Sequence, residues 1–229
     1  MSILTNAMKT ARKDYLGSNC LMFFPMVEAA SPFTDLVSGA SLADASATFL
    51  VANAPTAGYS GAFSGFTIPS KAAWCFYSMQ QAVGNGALPS LTIGSGGTRL
   101  VVTGVTSRLT DGTTTKSTTP SAAMPAVGDI VFFAAALTGT TLNHYRSING
   151  GAVALVGSVD VSGIIGAGSL AAIQKAITLG STAIRQNVYA AAGHQFDALP
   201  ATLVDELTWT AEQWRMGKKW LSSVLRDEA

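Results

Sequence analysis

Few residues of this 229-residue chain could do chemistry: His144 and His194, Cys20 and Cys75, four tryptophans and thirteen scattered acids. A zinc site needs three or four His, Cys or carboxylate ligands. A nucleophilic relay needs a serine or cysteine, a histidine and an orienting acid in one place. Neither histidine has neighbours at such spacings. His144 alternates with Tyr145 on an expected strand, so the two face opposite sheet surfaces. His194 follows Gly193 in an expected loop, and both histidines are expected to be ordinary. Retaining glycosidases on sandwich scaffolds set two carboxylates on one strand, commonly as an E-x-D-x-x-E run, so that both face the sugar. No such run occurs. Asp205 and Glu206 are adjacent: on a strand they would face opposite sides, and at a helix start they simply favour its dipole. The expectation is a chain that is not an enzyme, with no catalytic, cofactor or metal site.

Cys20 and Cys75 fit no metal or redox spacing. Both are expected as buried, reduced thiols. Trp74 and Trp214 are expected in the core, whereas Trp209 and Trp220 are better placed to stack on a sugar or to mark a protein interface. Gly163-Ile164-Ile165-Gly166-Ala167-Gly168 carries its glycines in the wrong order for a dinucleotide loop and lacks a βαβ context. A flexible connection is expected there.

Positioning any of these residues falls to many short strands. From Cys20 to about Val204, β-branched and aromatic runs alternate with Gly, Pro, Asn, Asp and Ser clusters. Strands are expected near Leu21–Pro25, Thr48–Val51, Ala73–Ser78, Leu91–Ile93, Thr98–Thr103, Val105–Leu109, Ile130–Ala136, Thr141–Ile148, Val153–Ser158 and Ala176–Leu179. Asp111-Gly112, Asn149-Gly150 and Gly96-Gly97 supply hairpin turns, because they tolerate positive φ. Such turns join antiparallel neighbours, and the absence of intervening helical periods excludes a doubly wound sheet. The fold class is therefore an all-β antiparallel sandwich.

Two helices flank it. Ile3, Leu4, Ala7, Met8, Ala11, Tyr15 and Leu16 recur at helical spacing, so residues 3–16 are expected as an amphipathic helix within an N-terminal arm, 1–19. Thr210 with Gln213 forms a capping box before Trp214, Gly217, Leu221, Val224 and Leu225, so a C-terminal helix is expected over 211–226, closing a domain of residues 20–229.

Composition narrows the partners. Charged residues are 12% of the chain and hydrophobic ones 48%, with a net charge of +1. That balance excludes a disordered chain, and without a run of Lys and Arg it excludes nucleic acid and anionic membrane as partners. The longest apolar run, Cys20 to Val27, is broken by Pro25 and too short to span a bilayer. A soluble, unprocessed chain made in a reducing compartment is expected.

Several stretches, in this order, resemble the laminin-G-like, or concanavalin A-like, jelly roll. Thr34-Asp35-Leu36-Val37-Ser38-Gly39 resembles the loop after that family's first strand, and Lys71-Ala72-Ala73-Trp74 its "sAW" strand. Val127-Gly128-Asp129-Ile130-Val131-Phe132 resembles the "vGdW" entry to a central strand, with Ile130 in place of the tryptophan. Leu142 to Gly151 resembles the "lylNG" strand, Thr178-Leu179-Gly180-Ser181 the "iGs" strand, and Val204-Asp205-Glu206-Leu207-Thr208 with Glu212 the family's end, where a last strand leads into a short helix. The resemblance implies a jelly-roll sandwich. It also raises a calcium site at loop rims, for which Asp35, Asp111, Asp129, Asp160 and Asp197 are candidates, although none lies in a D-x-D cluster.

The Ala, Gly, Ser and Thr content, with little charge or cysteine, also resembles accessory structural proteins of tailed-bacteriophage particles. The leading expectation is a virion surface component, a capsid decoration or tail accessory subunit, that assembles through its termini onto other virion proteins or copies of itself. The alternative is a lectin-like module that binds a cell-surface glycan. A polysaccharide-cleaving enzyme stands third.

Overall fold

The computed structural model describes residues 73–82, 98–119, 123–164 and 186–217 continuously, with residues 88–94, 176–179 and shorter stretches between 20 and 62. The expected arm 1–19, helix 3–16 included, and Gly96-Gly97 lie outside the described residues. The chain begins with β1 (Cys20–Phe24), β2 (Phe33–Thr34), β3 (Ser41–Leu42), β4 (Thr48–Val51), β5 (Ala54–Thr56) and β6 (Tyr59–Ala62). It continues through β7 (Ala73–Ala82), β8 (Ser90–Ile93), β9 (Thr98–Thr103), β10 (Ser107–Asp111) and β11 (Thr115–Ser117). Then follow β12 (Ile130–Thr138), β13 (Thr141–Ile148), β14 (Ala154–Asp160), β15 (Ala176–Leu179), β16 (Gln186–Phe196) and α1 (Leu203–Arg215).

An eight-stranded antiparallel sheet has the order β14-β13-β12-β7-β16-β5-β4, with β1 also on β16. A six-stranded sheet has the order β11-β10-β9-β8-β15-β6, and β2 pairs β3 separately. The all-β antiparallel sandwich is thus established. Between the sheets, Trp74, Phe76, Val131, Phe133, Leu137 and Leu142 meet Leu91, Ile93, Leu100, Val102 and Leu109. These alternate with neighbours of opposite facing, as the period of two requires.

A second apolar layer lies on the other side of the eight-stranded sheet. Leu203, Leu207, Ala211 and Trp214 of α1 form a stripe at helical spacing and pack on Phe23, Tyr77, Phe132, Tyr145 and four alanines, Ala134, Ala136, Ala190 and Ala192. Tyr77 stands between Ala134 and Ala192 on the flanking strands, so small residues leave room beside a large one. Trp214 fills that room, stacked at 5.4 Å on Tyr77 and 6.3 Å on Phe23. Because both faces of β12 are covered, its apolar run is buried continuously from Val131 to Leu137, the pattern of a two-sided strand.

The helix differs from the expected 211–226. It starts eight residues earlier, after Thr202, so Thr210 and Gln213 are buried inside it and form no capping box. Gly217 adopts φ +78 and donates its N–H to the Trp214 carbonyl, ending the helix instead of contributing to its stripe. Residues 218–226 lie outside the described residues. Val204 to Thr208, likened to the family's end where a last strand leads into a short helix, lies wholly in the helix; the last strand is β16, which carries His194 in its ladder and not in a loop.

Two of the family-like motifs are halves of one structure. Asp129 accepts from the Ala126 N–H at 2.7 Å and from Asn149 Nδ2 at 2.8 Å, and Asn149 Oδ1 accepts from the Ile130 N–H at 2.9 Å. Gly128 at φ +93 and Asn149 at φ +53 supply the left-handed residues both turns need. The β13–β14 hairpin turns at Asn149-Gly150 and the β10–β11 hairpin at Asp111-Gly112, as expected.

Candidate functional site

The residues singled out for chemistry are mostly spent on structure. His194 is fully buried on β16 under α1, its ring stacked on Tyr77 and its Nε2 2.9 Å from the Tyr77 hydroxyl. Burial pushes its pKa down to about 3. His144 faces the space between the sheets, where its Nδ1 lies 2.8 Å from Ser107 Oγ of β10. Burial, and then the Arg146 guanidinium, push its pKa down to about 4. The Ser107–His144 pair has the types of a nucleophilic relay. Both residues are fully buried, so no substrate reaches them.

Cys20 and Cys75 sit opposite His194 on either side of it across the ladder. Two strand spacings separate them by about 10 Å, beyond the roughly 7 Å that a disulfide can span. Both are free and buried. Burial, reinforced by Asp35 at Cys20 and Glu206 at Cys75, pushes both thiols far above the ordinary range, so they are inert hydrophobes.

The loop acids also have separate occupations. Buried Asp35 accepts from the N–H groups of Phe23 and Val37, tying its loop to β1. Asp111 accepts from Thr113 and Thr114, and Asp160 from Ser162; these bonds hold both carboxyls below the usual range. Asp197 is exposed beyond β16. Asp205 and Glu206 lie in the first turn of α1. Among the described residues no three His, Cys, Asp or Glu converge on a metal position. Trp74 and Trp214 are core residues as expected. Trp209 is half-buried on α1, and Trp220 lies outside the described residues, as do Gly166 and Gly168; Gly163 turns the chain after β14.

Among the described residues, the outer face of the six-stranded sheet remains open over β9, β10 and β11. Leu100, Val102 and Leu109 point inward, so alternation turns Arg99, Val101 and Arg108 outward. Register aligns Thr92, Val101, Arg108 and Ser117 in one row across β8, β9, β10 and β11, and sets Arg99 opposite Thr110 and Thr115 in the next. Arg99, Arg108, Thr115 and Ser117 are exposed, and Thr92 and Val101 half-buried. This is a surface of hydroxyls and guanidiniums with no aromatic ring among its described residues. The signal was present in the sequence: Thr98-Arg99-Leu100-Val101-Val102-Thr103 and Ser107-Arg108-Leu109 alternate across a tight connection, which puts both arginines on one side.

No protein-family model and no curated protein sequence matches the chain. Among solved structures, the Trypanosoma rangeli sialidase is similar over 92% of this chain and 39% of its own, at 13% identity and a TM-score of 0.58. A GH54 α-L-arabinofuranosidase is similar over 85% of this chain and 52% of its own, at 11% identity and a TM-score of 0.51. The chain therefore spans well under two thirds of either protein, and at these identities the likeness is one of fold. That fold is glycosidase-like, which corrects the expectation of a chain that is not an enzyme: the missing E-x-D-x-x-E run spoke only about one strand arrangement. Neither neighbour is a virion protein, and the expected virion setting gains no support from them.

Proposed function

We propose that this chain is a glycan-binding β-sandwich whose ligand lies on the outer face of the six-stranded sheet. The observation that carries this reading is the asymmetry of the two outer faces. The eight-stranded sheet is closed by α1 and its Trp214 anchor. The six-stranded sheet presents Thr92, Arg99, Arg108, Thr115 and Ser117 in register on exposed strands. Side chains on paired strands are held at fixed separations, which suits recognition of a ligand bearing hydroxyls at fixed separations. The two enzymes that share the fold are named for glycan substrates, a sialidase and an arabinofuranosidase, and this supports the same ligand class here.

Screening the full chain on a glycan array, with calcium and with a chelator, tests the reading. Binding to a restricted set of glycans, unchanged by the chelator, is expected. Absence of binding at millimolar oligosaccharide would overturn it. Following reducing-end release over the same panel distinguishes binding followed by cleavage from binding alone.

A further inference from the structure

The glycan-binding reading leaves the ligand's charge open, and the arginine pair bears on it. Arg99 is opposite Thr110 and Arg108 opposite Val101, so the two arginines are diagonal neighbours on adjacent strands. Such neighbours are about 7–8 Å apart at the backbone, within reach of long side chains. Like charges this close on a sheet repel. In a chain with only fourteen Lys and Arg among 229 residues, setting two of them together costs stability.

Nothing among the described residues offsets that cost. Asp111, Asp129 and Asp160 are held in their own turns. Asp205, Glu206 and Glu212 belong to α1, which packs on the far side of the other sheet. Among its described residues the surface also has no aromatic ring on which an uncharged sugar could stack, so these residues would hold neutral glycans by hydroxyl and guanidinium contacts. Guanidinium forks match carboxylates and sulfates with paired, charge-assisted bonds, roughly twice as strong as neutral ones.

We infer that Arg99 and Arg108 together form an anion site, and that the ligand is an acidic glycan held through a carboxylate or a sulfate ester. This inference rests on the glycan-binding reading. Val101, half-buried between Thr92 and Arg108, offers the sugar ring an apolar seat, and Ser117 lies beyond Arg108 in the same row.

The test is calorimetric titration of the full chain with three oligosaccharide sets: uronate-containing and unsulfated, sulfated, and neutral. Acidic sets are expected to bind at least about tenfold more tightly than neutral ones, with the better of the two acidic sets identifying the anion. Arg108→Ala and Arg99→Ala are each expected to weaken acidic binding about tenfold and to weaken neutral binding by clearly less, so that the preference for acidic sets shrinks. Arg108→Lys, which keeps the charge but loses the fork, should fall between Arg108→Ala and the parent. Thermal melting confirms that each variant is folded. Equal binding of neutral and acidic glycans, indifferent to both substitutions, would overturn the anion site and leave the glycan reading standing. No binding to any set would overturn that reading itself, and the anion site with it.

Discussion

The outer faces of the two sheets start from the same antiparallel ladder and end in opposite states. On the eight-stranded sheet, β12 and β16 contribute Ala134, Ala136, Ala190 and Ala192, and these leave a trough around Tyr77 into which α1 lowers Trp214. On the six-stranded sheet the corresponding outward positions carry Arg99, Val101 and Arg108, which project from the face instead of making room. Side-chain size therefore decides which face is buried and which stays available. The buried face absorbed four of the residues whose types suggested chemistry, His194, Cys20, Cys75 and Trp214, and the space between the sheets took His144 and Trp74. The available face carries residues that look bland one at a time and gain meaning only through register.

The strongest way to break this contrast is to remove the anchor of the covered face. Trp214→Ala is expected to cost about 3–5 kcal/mol, the usual range for truncating a fully buried large aromatic. A fall in the urea midpoint measures the loss, and increased binding of a hydrophobic dye would follow from opening the face. A cost below about 1 kcal/mol would mean that the helix is an accessory and that both sheets are alike. A smaller effect is expected inside the sandwich at Gly193, where an added Cβ would run into the Phe76 ring. Gly193→Ala should cost about 1–3 kcal/mol by overpacking, measured by the same denaturation.

The same contrast marks what could be read from the sequence. Strands with clean alternation or a sustained apolar run, such as Thr98–Thr103 and Thr141–Ile148, were legible at their observed bounds, and Asp111-Gly112 with Asn149-Gly150 marked turns correctly because positive φ restricts residue choice. The longest strand, β16, was missed. Its Tyr-Ala-Ala-Ala-Gly-His segment has low β-propensity, and it is a strand because it is buried between β7 on one side and β1 and β5 on the other, so tertiary context outweighs propensity. The helix start was misplaced for a related reason. Thr210 and Gln213 have the spacing of a capping box, but the apolar stripe extends back to Leu203, and burial of Leu203 and Leu207 sets the start. The arginine pair was legible in principle, since alternation and one hairpin suffice to place it.

Acid should loosen the layers on both sides of the eight-stranded sheet next, since His194 lies under α1 and His144 between the sheets. His194 and His144 have pKa values lowered to about 3 and about 4, so both are neutral in the folded state at pH 7. The unfolded chain takes up protons on both near pH 6.5. The stabilising difference is present above that pH and is lost as pH falls toward 4, because protons then favour the unfolded state. A loss of about 1–3 kcal/mol per histidine is expected by pH 4, seen as a declining melting temperature from pH 6.5 downward. His144→Asn should flatten part of that decline. A melting temperature unchanged between pH 6.5 and pH 4.5 would show that neither histidine is held neutral by burial.

The smallest expected effect falls on the open face, and its sign is informative. Arg99 and Arg108 are exposed like-charged neighbours, so replacing either by alanine removes repulsion and little packing. Each substitution should change stability by no more than about 0.5 kcal/mol, in the stabilising direction. The two gains should not add, because either substitution alone already removes the mutual term. A double-mutant cycle by urea denaturation measures that term, which should shrink as added salt screens the pair. If instead each arginine costs more than about 1 kcal/mol when truncated, then both are engaged in holding the sheet, the face is structural like its counterpart under α1, and the contrast between the two faces fails.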